Sequence, residues 1–427
     1  MATARLGEDS SLLQRAGFAL LCIFLISGFV NEFAMRLFHV KAYISTVSWV
    51  LLPILLVLSG RMLRGFRDIT GWLWLGFLAW ICLATPFSVW RGGSLAILRD
   101  YIPHAWIQFY IFAAFVVSAG HLRRVMYFLI ASDLLLLIDC WWGGSMANGR
   151  LEIPDSMFFR NANDLSLQLL LAVTQFLFLV HQRQRWKQIA GGAAILASLL
   201  FIFKTGARGA FLAVFALLLV GMLIGKHRFR LAALGPPALA GALLMTPSGV
   251  LHRMTLIGNQ PQAVAASDPL GRAAVESEQQ RLALLRQSLS YALLHPLLGV
   301  GPGQFAVAAS NDLAREGKPA PWLGTHNSYT EVASECGIPA FLLYGSVLFL
   351  ALRSNFRIYR RTANLDDTDQ AGTLAFCLFA SAVVYAICTL FFHVAYSTYL
   401  PMIAGMSVAL RLAVDRRLWS NVAAREA

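Results

Sequence analysis

The chain has 427 residues, 58% of them hydrophobic and 13% charged, with a mean hydropathy of +0.62 and a formal net charge of +13. A water-soluble domain carries about 25% charged residues, so a soluble protein is excluded. Apolar runs of roughly 16 to 22 residues without two-residue alternation exclude an outer-membrane barrel as well. The first run, Ala16 to Val30, follows Arg5 and Arg15 and leads into NEFAMR, a poor cleavage site, so it reads as an uncleaved first span. Polar clusters then separate twelve candidate spans near 16–35, 42–59, 69–85, 101–119, 125–142, 163–181, 188–204, 209–225, 231–250, 334–352, 371–392 and 395–412. The expected fold class is an all-α polytopic membrane protein with about twelve transmembrane helices and one long outer loop containing helices.

The positions of the charges set the expected topology. With the N-terminus inside, alternate connections hold 21 of the 35 Lys and Arg residues on the inner side and 14 on the outer side. Six of those 14 (Arg253, Arg272, Arg281, Arg286, Arg315 and Lys318) fall in one connection of about 75 residues, which crosses regardless of charge, so both termini are expected in the cytoplasm. The chain divides into residues 1–250 with nine spans, an outer loop at 251–325, and residues 326–427 with three more. Within the loop, Glu276 to Leu294 reads as an amphipathic helix, with Leu282, Leu285, Leu289 and Leu293 on one stripe that suits a membrane surface. GVGPG at Gly299 to Gly303 lacks the ending of a nucleotide loop and reads as a tight turn.

Several tempting signals carry no chemistry. Cys22, Cys82, Cys140, Cys336, Cys377 and Cys388 lie in or beside apolar runs without a CxxC pair, so neither a disulfide framework nor a zinc site is expected. Asp366, Asp367 and Asp369 imitate a metal-diphosphate DxD but fall on the inner side and read as a solvated loop. The inner basic clusters, such as Arg183 to Lys187, are explained by orientation and anionic lipid, and no nucleic-acid role is assigned.

The candidates for chemistry lie at the outer boundary. His326 opens HNSYTEVASECGIP just before the tenth span, and Ser328 with Glu331 fits a capping box that would start a helix there. The positive end of that helix would keep the imidazole neutral, fit to act as a general base; the alternative is a boundary residue bonded to loop backbone. Arg208, in KTGARGA between two apolar spans, calls for an anionic partner or must snorkel to the interface. Arg281 and Arg286 sit five residues apart, about 140° around the helix, so they would not grip one phosphate alike. Asn163, two residues after Asn161 and following Phe159-Arg160, would make a helix cap; Arg160, Asn163, Arg91 and Arg286 stand as candidate substrate-binding residues.

KTGARGA, the Arg281 helix followed by HPLLGVGPGQF, and HNSYTEVASECGIP, in that order and spacing across roughly residues 155 to 350, resemble the O-antigen ligase and polymerase superfamily of bacterial membrane glycosyltransferases. The resemblance implies a glycosyltransferase-C-like helical enzyme in the inner membrane. It would take glycan from undecaprenyl pyrophosphate on the periplasmic face and, in the ligase branch, join it to a hydroxyl of lipid A-core oligosaccharide. By motif position it implies Arg208, Arg281 and His326 as catalytic residues, with no metal and no cofactor. Two guanidiniums would meet the charge developing on the pyrophosphate, and direct displacement would invert the anomeric centre. The alternatives are an O-antigen polymerase with the same donor chemistry and, from another class, a lipid-linked glycan transporter. A transporter should carry midplane ionisable residues on several spans, whereas these spans hold few, notably Asp133 and Asp139.

Overall fold

The computed structural model describes residues 12–426 apart from 42, 148, 155, 157, 158, 160, 226–227, 245–247, 249–267, 320 and 363–369. The long apolar runs form helices because a backbone without water must satisfy its own hydrogen bonds. In chain order these are α1 (Leu12–Phe38), α2 (Ile44–Leu58), α3 (Ile69–Ala84), α4 (Arg91–Tyr101), α5 (Gln108–Phe115), α6 (Ala119–Trp142), α7 (Ala162–Val180) and α8 (Arg185–Thr205). They continue as α9 (Arg208–Ile224), α10 (Arg228–Leu244), α11 (Pro269–Leu294), α12 (Phe305–Arg315), α13 (Ser328–Thr362), α14 (Ala371–Cys388) and α15 (Tyr399–Glu426). Two three-residue strands, β1 (Ser145–Ala147) and β2 (Arg150–Glu152), pair antiparallel with Met146 opposite Leu151.

Among the described residues, seven helices are long and apolar enough to cross a membrane: α1, α3 with its short 3-10 extension, α6, α7, α8, α13 and α14. An eighth counts if α2 and the 3-10 segment Arg61–Arg67, bent by 78°, form one broken span. The sequence-based count of twelve differs where helices break or run short. The run expected at 101–119 is divided by a π-helical segment, Ile102–Trp106, that contains Pro103, and α9 has only 17 residues. An interior proline removes a backbone donor and clashes with the preceding turn, so hydropathy continues while the helix does not.

The core lies where α3, α5, α13, α14 and α15 pack together. Trp74, Phe77, Phe109, Phe112, Tyr344 and Tyr385 are fully buried there, and the Tyr344 and Tyr385 hydroxyls bond to each other at 2.6 Å. Of the ionisable groups in the described spans, Arg36 pairs with Asp139, and Asp133 accepts from Gln168 at 3.0 Å.

The longest helix is interrupted. Gly337 of α13 has φ +81°, and a Cβ there would collide with the Leu297 carbonyl, so this break in the helix admits only glycine. The break frees carbonyls that the preceding loop uses. Val300 and Gly301 donate to the Ser334 and Glu335 carbonyls at 2.9 and 2.8 Å, while Ile338 donates to Pro296 at 2.8 Å. GVGPG is therefore more than a turn; it is docked against the break.

Candidate functional site

Segments from distant parts of the chain converge on one cavity of about 400 Å³. The α8–α9 connection supplies Arg208. Gly206 ends α8 in the left-handed conformation (φ 61°), the chain turns within two residues, and Arg208 opens α9. Its guanidinium therefore sits at a helix N-terminus, where the aligned peptide dipoles also favour an anion. Gly209 lets the ring of Phe391 approach the backbone; a Cβ there would lie 2.7 Å from that ring.

Helix α11 supplies the second wall. Asp268 caps it, accepting from the Gly271 amide at 2.9 Å, and Glu278, Arg281, Leu282 and Leu285 face the cavity at three- and four-residue spacing. Glu278 forms an ion pair with Arg208 in which each side chain is 25% exposed. Arg286, five residues beyond Arg281, is exposed and does not line the cavity, as the helical angle requires. The leucine stripe is not the packed face of this helix. Leu282, Leu289 and Leu293 are 49%, 47% and 78% exposed, and Leu284, Ser288, Tyr291 and Ala292 are buried instead.

The third wall is Thr325-His326-Asn327. His326 has φ 51°, in the left-handed region that a non-glycine residue rarely occupies, and its ring meets that of His393 edge to face at 4.8 Å. Burial, then the His393 and Arg281 charges, push the His326 imidazole down to about 4, so it is neutral across the physiological range. The helix start differs from the expected capping box. Asn327 is the cap, its Oδ1 accepting from the Tyr329 and Thr330 amides at 2.9 and 3.1 Å. Ser328 instead donates to the Phe392 carbonyl at 2.7 Å and accepts from the Val394 amide at 2.8 Å. Glu331 accepts from the Ala395 amide at 3.1 Å. These bonds fasten the His393 loop beside His326, which a cap at Ser328 would forbid.

Glu335 lies one helical turn beyond Glu331. It accepts from the Gly303 amide at 2.7 Å, the Phe305 amide at 3.1 Å and the Tyr396 hydroxyl at 2.9 Å. One carboxylate thus joins the start of α12, the loop before α15 and the head of α13.

The fourth wall brings a residue that sequence reasoning missed. Arg150, at the start of β2, lines the cavity and donates from Nε to the Thr205 carbonyl at 2.8 Å and from Nη2 to Asn163 Oδ1 at 2.7 Å. Asn163 lines the cavity too, but the cap of α7 is Asn161, whose Oδ1 accepts from the Asn163 and Asp164 amides at 2.8 and 3.2 Å. A hairpin of three-residue strands has no periodicity long enough to mark Arg150, and its pairing with Asn163 follows only from the fold. Arg91 opens α4, is exposed and does not line this cavity. Arg160 and the Asp366–Asp369 run lie outside the described residues. Among the described residues, no three His, Cys, Asp or Glu side chains are grouped to hold a metal ion.

The fold and the cavity define an all-α polytopic membrane protein whose apolar helices carry an arginine-lined pocket suited to an anionic ligand. Residues 192–345 match the family model described as O-antigen ligase, consistent with the O-antigen ligase and polymerase superfamily. The match runs from α8 through the head of α13 and so takes in Arg208, Arg281 and His326; it supports ligase- or polymerase-type activity in the O-antigen pathway. No curated protein matches the chain.

Proposed function

We propose that this protein is an O-antigen ligase that transfers glycan from undecaprenyl pyrophosphate to a hydroxyl of lipid A-core oligosaccharide, on the periplasmic face of the bacterial inner membrane. The observation that carries this reading is the convergence of Arg208, Arg281 and His326, from segments up to 118 positions apart, on one cavity. Arg208 and Arg281 bind the diphosphate oxygens, and the helix N-terminus at Arg208 adds to their field. His326 is neutral and takes the proton of the acceptor hydroxyl as its oxygen attacks the anomeric carbon. The bond from that carbon to the phosphate oxygen breaks, the electron pair leaves with the lipid diphosphate, and a direct displacement inverts the centre. Glu278 pairs with Arg208 and gives way to the phosphate.

The test is reconstitution. Purified protein with undecaprenyl-pyrophosphate-linked glycan and lipid A-core, in the presence of a chelator, should yield the ligated product. Extension of the donor's own glycan would identify a polymerase. Movement of the donor across a vesicle bilayer without bond formation would identify a transporter.

A further inference from the structure

The 3-10 segment Arg61–Arg67, between α2 and α3, lies away from the cavity and is bent by 78° from α2, across the direction of that helix. A 3-10 helix turns once in three residues, so Arg61, Arg64 and Arg67 share one edge of it. The middle arginine is committed to the fold: Arg64 is buried and donates to the Val116 and Val117 carbonyls. Gly65 lies against Tyr110, where a Cβ would come within 2.7 Å of the ring. The segment is thereby held in place, with Arg61 half-buried on one side of Arg64 and Arg67 exposed on the other.

These guanidiniums lie close enough to repel one another, and Arg416 of α15 adds to the repulsion. Neither Arg61 nor Arg67 belongs to an ion pair among the described residues. The neighbouring acid is already engaged: Asp68 pairs with Arg411 at 3.0 Å and accepts from the Thr70 amide and hydroxyl at 2.9 and 2.7 Å. Like charges fixed side by side cost free energy, and an anion placed between them reverses the sign of that interaction.

The surroundings select the kind of anion. Leu58, Leu63, Ile69 and Trp72, on either side of the arginines in the chain, are exposed. Trp72 donates from its indole nitrogen to the Phe66 carbonyl at 3.0 Å, which ties an amphipathic ring suited to the headgroup level to this same segment. Exposed apolar side chains beside guanidiniums match acyl chains beside a phosphate, whereas a soluble phosphate would gain nothing from them.

We propose that Arg61 and Arg67 form a binding site for the headgroup of an anionic phospholipid, whose acyl chains lie against Leu63, Ile69 and Trp72. The two arginines stem from backbone positions about 12 Å apart at 2 Å per residue, so a headgroup with two phosphates binds more tightly than a headgroup with one. This site does not depend on the glycosyl-transfer reading.

The test uses the purified full chain in detergent, with cardiolipin, phosphatidylglycerol or phosphatidylcholine added and the affinity of the first bound lipid read by native mass spectrometry. The wild type should prefer cardiolipin to phosphatidylglycerol and both to phosphatidylcholine, with a preference that weakens as salt rises. One basic side chain is worth about fivefold in affinity for anionic lipid, so the variant carrying Arg61→Gln and Arg67→Gln should lose roughly 30-fold for cardiolipin. Its phosphatidylcholine binding and its Tm should not change. Lys at both positions should keep most of the preference, because the charge remains. The control carries Arg183→Gln and Arg185→Gln, two exposed arginines of the α7–α8 connection, and should keep the wild-type affinity for the first cardiolipin. An unchanged preference in the Arg61 and Arg67 variant, or an equal loss in the control, would overturn the site. Displacement of cardiolipin by millimolar inorganic phosphate would overturn it too, since the ligand would then be a soluble phosphate. If the double Gln variant does not accumulate folded, Arg67→Gln alone should lose about fivefold, and no loss there overturns the proposal.

Discussion

Two groups of arginines are used differently. Just before α3, Arg64 is 6% exposed and donates to the Val116 and Val117 carbonyls at 3.0 and 3.4 Å, while Arg411 pairs at 3.0 Å with Asp68, which also caps α3. Around the cavity, Arg150, Arg208 and Arg281 surround open space. The same side chain therefore closes a fold in one place and furnishes a pocket in the other. Charge in a membrane protein indicates chemistry where it faces a cavity, and assembly where backbone carbonyls surround it.

The sharpest way to break that division is to remove arginines from both groups. Arg208→Ala, Arg281→Ala and His326→Ala should each cost at least about 100-fold in transfer rate with protein accumulation kept. Arg64→Ala should leave the rate per folded molecule unchanged and lower stability by about 1.5–3 kcal/mol, read as a fall in Tm. A normal Tm with lost turnover in Arg64→Ala would erase the distinction.

A second test addresses what holds the cavity end together. Gly337→Ala places a methyl group against the Leu297 carbonyl at φ +81°. The strained backbone alone costs about 1–3 kcal/mol, and the collision adds to it. We expect reduced accumulation and Tm, together with loss of activity in whatever folds, since the loop from Pro296 to Gly303 is docked on that break. Retained Tm and activity would mean that the break is not required.

The smallest expected effect is a displaced pH profile. A general base works in its neutral form, so with His326 pushed down to about 4 the acid limb of kcat/KM should fall near pH 4, well below the ordinary histidine range near 6.5. His393→Phe keeps an aromatic edge beside His326 but removes one of the charges that lower it; the limb should move upward, and the rate near pH 5 should drop relative to that at pH 8. An unmoved limb would separate His393 from the tuning of His326.

Much of this cavity was legible in the chain. Arg208 stood out because a charge between long apolar runs is costly, His326 because it precedes a helix start, and Arg281 only through the resemblance of motif order. That Leu284, Ser288, Tyr291 and Ala292 form the packed face of this helix was not legible, because an apolar stripe specifies that a face avoids water and not which neighbour covers it. The choice of Asn327 over Ser328 as cap was equally hidden, since both residues suit the position and the loop bearing His393 decided between them.

The amino-acid sequence by itself determined that the protein is helical and lives in a membrane, because uninterrupted apolar runs have no other way to satisfy their backbone there. It also determined where the polar boundaries fall. Only the tertiary structure decided which of those boundaries meet: Arg150 with Asn163, Arg208 with Glu278, His326 with His393. Hydropathy and periodicity are local quantities, whereas a cavity is made by packing segments that are far apart in the chain, and its contacts are set by shape and hydrogen bonding across those distances.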